Sequence, residues 1–238
     1  MGLKKRSESD KSNMYTFITD RWNPVRGECP YECSYCYVGR WGRIQRPLFL
    51  DKKDLLTPLG SGRFIFICSG CDLFHPDVPA EWITAVREQT LLYPDNKYLW
   101  HTKNPYRLVS LIEPGPNDIA CVTIESEKWY PQISKAPPPI ERITWLNKWE
   151  GKRMITVEPI MDFDLDIFYT GMILEADPIQ VNIGADSGGN NLPEPPAIKI
   201  IELIDRLKHK HITVHGKKNL DRLLKPPKVK KHPIGEKA

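Results

Sequence analysis

Short runs of apolar and β-branched residues recur along this chain, each followed by a segment of helical period, and that alternation limits the possible folds more than any other feature. Phe64-Ile-Phe-Ile-Cys68 has no polar residue to turn toward water, so it reads as a strand covered on both faces. Lys97–Thr102, Asp118–Ile124, Arg153–Val157 and Ile179–Ile183 repeat the pattern. Met14–Thr19, aromatic and β-branched, reads as the first strand, and His211–Val214 offers a seventh. Between them, Pro79–Val86, Pro105–Ile112, Pro139–Trp149, Asp164–Met172 and Pro196–Lys210 read as helices, the last with Ile200, Ile201, Ile204 and Leu207 on its buried stripe. Alternating units of this kind build a parallel sheet with right-handed crossovers. At 238 residues the chain suits one α/β domain, smaller than a usual eight-unit barrel. An open doubly wound sheet is the other arrangement the pattern allows.

The second constraint is a loop. Cys29, Cys33 and Cys36 place three thiols within eight residues, directly after Asn23-Pro24 and Gly27, which turn the chain away from regular structure. Soft sulfur donors so close together suit zinc or an iron–sulfur cluster. No second Cys or His pair follows at finger-like distance to complete a four-ligand zinc site. On an iron–sulfur cluster a three-cysteine set leaves one iron open to a small molecule. Packing or pairing of three loop cysteines is the plain alternative. Cys68 and Cys121 lie within apolar strands, where free cysteine behaves as a small hydrophobe, and Cys71 follows closely.

Polar side chains gather just after successive strands: Asp72, Lys103, Glu125 with Ser126, Glu158, and Asp186 with Ser187 after Gly184. Loops at the carboxyl ends of parallel strands converge, so these positions define a candidate binding rim.

Cys29-x3-Cys33-x2-Cys36, with Tyr35 before the third cysteine, resembles the signature of the radical S-adenosylmethionine (SAM) superfamily. The surrounding Asn23-Pro24-Val25-Arg26-Gly27 and Cys36-Tyr37 are similar to a phage-associated branch, and the loop is also similar to that of the spore photoproduct lyases. Asp72-Leu-Phe-His-Pro76, Thr102-Lys-Asn-Pro105, Val122-Thr-Ile-Glu125 and Val157-Glu-Pro159 fit the same branch. The resemblance implies an α/β fold of the partial (β/α)6 TIM-like barrel type. It also implies a [4Fe-4S] cluster on Cys29, Cys33 and Cys36 that reductively cleaves S-adenosyl-L-methionine to a 5′-deoxyadenosyl radical. Tyr35 then lies beside the adenine, Asp72 meets the methionyl ammonium, Glu125 and Ser126, with Glu158, are candidates for ribose or carboxylate contacts, Lys103 meets the SAM carboxylate or an anionic substrate, and Gly184 opens a backbone platform. A reducing partner such as flavodoxin or ferredoxin is implied, and the substrate expected is nucleic acid or a nucleotide. A non-enzymatic zinc or iron–sulfur nucleic-acid-binding module is the competing function.

Charge is segregated along the chain. Residues 211–238 carry eight Lys or Arg against two acids, a net of +6, leaving −2 for residues 1–210. A basic tail over 216–238 is therefore expected beside a domain over 14–215, with residues 1–13 a flexible polar start. No run of eighteen apolar residues is present, so no membrane span is expected, and thiolate ligands suit a cytoplasmic address.

Overall fold

The computed structural model describes residues 2–5, 14–41 and 46–225. Ten strands and seven α-helices are found among them, the strands being β1 (Lys4–Lys5), β2 (Asp20–Trp22), β3 (Val25–Arg26), β4 (Phe49–Leu50), β5 (Phe64–Ile67), β6 (Lys97–Thr102), β7 (Asp118–Thr123), β8 (Lys152–Val157), β9 (Gln180–Ile183) and β10 (Thr213–Gly216). The helices are α1 (Lys52–Leu55), α2 (Ala80–Leu91), α3 (Pro105–Leu111), α4 (Pro139–Leu146), α5 (Leu165–Phe168), α6 (Ala197–His209) and α7 (Asp221–Leu224).

Eight strands form one sheet in the order β1-β2-β5-β6-β7-β8-β9-β10. Pairing is parallel from β2 to β10, and only β1 runs antiparallel, against β2. The sheet curves as a partial barrel that does not close, as the sequence pattern and the resemblance led us to expect.

Alternation on each strand divides the interior in two. Ile65, Ile67, Trp100, Val122, Ile155, Val157, Val181 and Ile183 face the helices and form the main core with Ile83, Val86, Leu108, Ile143 and Leu203. Phe66, Leu99, Ile119, Cys121 and Met154 form a second cluster on the other face. Each large side chain so buried contributes roughly 2 kcal/mol, which is why runs such as Phe64–Ile67 tolerate no polar residue.

Met14–Thr19 departs from expectation. It forms no strand; Tyr15 and Ile18 are buried in the second cluster with Phe17 and Met14 packed against it. Aromatic and β-branched content suits a strand, but it suits equally a plug for the concave face of a sheet that cannot fill its own lumen. Pairing with β5 begins only at Asp20. On α6 the buried residues are Ile200, Leu203 and Leu207, while Ile201 is exposed, so the apolar stripe includes Leu203 where Ile201 was expected. Residues 217–224, assigned to the tail by composition, are folded: Leu220 is buried and Arg222 pairs with Glu194. The remaining basic stretch, 226–238, lies outside the described residues, as do 6–13 of the expected flexible start. No helix among the described residues is long and apolar enough to cross a membrane.

Candidate functional site

The cysteine loop leaves the carboxyl end of β2 and lies across the rim. Its entry is fixed by the short β3–β4 pairing and by Glu28 N–H donating to the Arg46 carbonyl at 3.0 Å. Gly27 has φ +118°, and a Cβ there would stand 2.5 Å from the Pro47 carbonyl, so only glycine lets the two segments cross. Within the loop, Cys36 N–H donates to the Cys33 carbonyl at 3.0 Å, a tight turn that keeps the second and third thiols on one short arc. All three cysteines are free and partly exposed.

The first two thiols have distinct environments. Burial, followed by the Asp72 carboxylate nearby, pushes the Cys29 thiol up to about 12, against backbone N–H groups of Tyr31 and Asp72 that donate to its sulfur. Cys33 Sγ is 3.1 Å from Ser134 Oγ. Ser134 belongs to the connection between β7 and α4, which is held against the cysteine loop by Ser34 N–H to the Ile133 carbonyl and Lys135 N–H to the Tyr31 carbonyl, both 2.9 Å. Among the described residues, no group of three or more His, Cys, Asp or Glu is placed to hold a single metal ion. A four-iron cluster asks for something else, one thiolate at each of three corners. The donor set fits that demand: three thiols on one short loop, N–H or hydroxyl groups at two of the sulfurs, and a partly buried cation beside them.

That cation is Lys103, which follows β6. It reaches Tyr35 from the cysteine loop and Glu125 from the end of β7. Arg142 completes the group, 3.0 Å from Glu125 Oε2 and 2.8 Å from the Thr123 carbonyl. Burial would raise the Glu125 carboxyl, but Lys103 and Arg142 hold it down at about 2. Burial would lower Lys103, yet the Cys33 sulfur and Glu125 leave it above the ordinary lysine value. The ammonium also lies 4.6 Å from the Tyr35 ring centre. The result is a fixed array of charges in a low-dielectric rim, next to the sulfur of Cys33.

The other sequence candidates are placed differently. Asp72 is part-buried and accepts from Phe74 N–H (3.0 Å), Thr102 hydroxyl (2.7 Å) and Lys103 N–H (2.7 Å), so its carboxylate braces the ends of β5 and β6. Burial raises its pKa. Ser126 is buried, donating to the Asp162 carbonyl at 3.0 Å and accepting from Lys128 N–H at 3.1 Å, which turns its hydroxyl into the loop. Glu158 forms an ion pair with Lys217 at the end of β10. Gly184 N–H donates to the Val157 carbonyl at 3.0 Å and its own carbonyl accepts from Ile160 at 2.8 Å. A Cβ on Gly184 would meet Glu158 Oε1 at 2.9 Å, so the space that glycine leaves is occupied by the glutamate.

Sequence reasoning missed four residues around this rim. Arg142 stands on the inward stripe of α4 with Pro139, Ile143 and Leu146, and a cation on an apolar stripe is itself a signal that a buried acid awaits it. His101 points to the concave face below Lys103, with Nε2 2.8 Å from Thr123 Oγ1, and burial followed by Lys103 and Lys217 lowers it to about 3, leaving a neutral imidazole. Ser134 and Lys217 act across 101 and 59 positions, with nothing local to announce them.

The architecture is a partial barrel that does not close, with its polar groups and cysteine loop at the carboxyl ends of the strands. Solved structures of spore photoproduct lyase share this fold. A cysteine-to-serine mutant of that protein aligns with 89% of this chain and 80% of its own at TM-score 0.59 and 9% identity. A double mutant with bound AdoMet and dinucleoside spore photoproduct aligns over 76% of this chain at TM-score 0.50 and 9% identity, and this chain spans 60% of that one. No protein-family model matches the sequence, and no curated protein matches it.

Proposed function

We propose that this protein is a radical SAM enzyme: Cys29, Cys33 and Cys36 hold a [4Fe-4S] cluster, S-adenosylmethionine is the second cofactor, and the substrate is of nucleic-acid type. The observation that carries this reading is the position of the three-cysteine loop. It lies on the carboxyl-terminal rim of a barrel shared with spore photoproduct lyase, with the partly buried Lys103 ammonium beside it. When bound, the cluster supplies one electron and an open iron for S-adenosylmethionine, whose reductive cleavage gives methionine and a 5′-deoxyadenosyl radical.

The chain's own residues provide binding and shielding. Lys103 presents a fixed positive charge to the methionyl carboxylate, and Glu125, kept ionised by Arg142, receives the ammonium or ribose hydroxyls. Tyr35 supplies an aromatic edge beside the cysteines. Asp72 positions Lys103 through its backbone N–H, and Glu158 with Lys217 forms a second charged station on the substrate side. The plug formed by Tyr15 and Phe17, stacked on Phe66 of β5, fills the lumen below and keeps water from a radical formed above it. The dinucleoside ligand in the spore photoproduct lyase structures supports a nucleic-acid-type substrate, as does the surplus of Lys and Arg after residue 210. Flavodoxin or ferredoxin would serve as electron donor.

Electron paramagnetic resonance on anaerobically reconstituted, reduced protein tests the reading. A [4Fe-4S]+ signal that changes on adding S-adenosylmethionine, and is lost in Cys33→Ala, is the expected result. A zinc-loaded protein, or a signal indifferent to S-adenosylmethionine, would instead favour the non-enzymatic module.

A further inference from the structure

We propose that the Ser134 hydroxyl donates a hydrogen bond to the Cys33 sulfur and thereby sets the reduction potential of the iron–sulfur site, an inference that rests on Cys33 being a cluster ligand as proposed above. The two atoms are 3.1 Å apart, and Ser134 is buried, with 8% of its surface exposed. The direction of the bond follows from counting. A hydroxyl has one proton and two lone pairs. Ala136 N–H donates to Ser134 Oγ at 3.2 Å, which uses a lone pair. A thiolate has no proton to give, so the hydroxyl proton is left for the sulfur.

The placement is not incidental to a mobile side chain. Backbone bonds on both sides of Ser134, from Ser34 to Ile133 and from Lys135 to Tyr31, zip its segment to the cysteine loop, and Lys135 adds a 2.7 Å ion pair to Glu32. The donors to Cys29 are backbone groups, present with any residue but proline at those positions. Ser134 is a side chain, and so is a position at which sequence can adjust the cluster without rebuilding the loop. A donor to a ligand sulfur withdraws negative charge, favours the reduced cluster, which carries one more electron, and raises its potential. Ser134 is buried and Cys33 only partly exposed, so solvent screens this effect incompletely.

The test compares wild type, Ser134→Ala and Ser134→Thr, each reconstituted anaerobically, by a redox titration followed by electron paramagnetic resonance without S-adenosylmethionine. Circular dichroism and iron content confirm equal folding and loading. The expected result is a shift of the midpoint to more negative potential in Ser134→Ala, with Ser134→Thr, which keeps the hydroxyl, close to wild type. Equal midpoints in all three proteins overturn the inference. Loss of iron in a folded Ser134→Ala also overturns it, since the serine would then serve assembly rather than potential. A wild type that takes up no cluster fails at the earlier step and overturns the ligand assignment itself.

Discussion

Glu125 and Glu158 follow neighbouring strands of the sheet and each meets a lysine, yet the two carboxylates are in opposite electrostatic situations. Glu125 has Lys103, Arg142 and the Tyr35 hydroxyl around it, and although burial raises its pKa these partners bring it to about 2. Glu158 pairs with Lys217, and burial outweighs that ammonium, so its pKa is raised. Burial raises both; at Glu125 the two cations and the Tyr35 hydroxyl outweigh it, and at Glu158 the lysines do not. On the cysteine side of the rim the charge is permanent. On the far side it can respond to what binds.

The largest effects should come from breaking the first station. Glu125→Gln leaves the buried Arg142 and the partly buried Lys103 without their acid and should destabilise the fold by about 3–5 kcal/mol, read from urea unfolding at neutral pH. Glu158→Gln replaces a carboxylate whose charged form burial already disfavours, and should change stability by about 1 kcal/mol or less. Equal losses in the two variants would break the comparison.

The pH dependence sharpens it. The native pKa of Glu125 lies below the ordinary glutamate value of 4.5, so its contribution, roughly 3 kcal/mol, is present above pH 4.5 and is lost as pH falls toward 2. The stability gap between wild type and Glu125→Gln should therefore narrow from pH 6 to pH 3. Glu158 runs the other way. Its native pKa lies above 4.5, so any contribution is present below that value and is lost as pH rises through the native pKa. Glu158→Gln should gain on wild type as the pH is raised from 4 to 7, and a gap that moves in the opposite direction would refute the assignment.

Much of this rim is legible in the sequence. Lys103, Glu125 and Glu158 each follow an apolar strand closely, and a parallel sheet places such positions together. The strands themselves are legible because burial on both faces demands uninterrupted apolar runs. What the sequence conceals depends on distance along the chain. The Ser134 contact spans 101 positions and the Lys217 contact 59, and no local pattern encodes either. Lys217 reads as one more cation of a basic tail because composition cannot separate a solvated lysine from one whose side chain is 9% exposed. Arg142 is the intermediate case: its place on the inward face of α4 is readable, its partner is not. Tyr15 shows the converse error, since a strand and a lumen plug favour the same residue types.

The smallest predicted effect separates two roles for Gly184. A glycine at a strand end suits a backbone platform for a ligand, but here its missing side chain makes room for Glu158, whose Cγ and Cδ would both lie 3.0 Å from a Cβ. Gly184→Ala should cost about 1–2 kcal/mol in wild type, because the glutamate must move from its place beside Lys217. In a Glu158→Ala background the same substitution should be neutral, or stabilising by about 0.5 kcal/mol through the unfolded state. A double-mutant cycle in urea therefore gives a coupling near 1 kcal/mol if the space belongs to the glutamate. If the two substitutions prove additive while S-adenosylmethionine binding weakens in Gly184→Ala alone, the space belongs to the cofactor. The contrast between the two carboxylates would then rest on Lys217 and burial, without a glycine set aside to seat one of them.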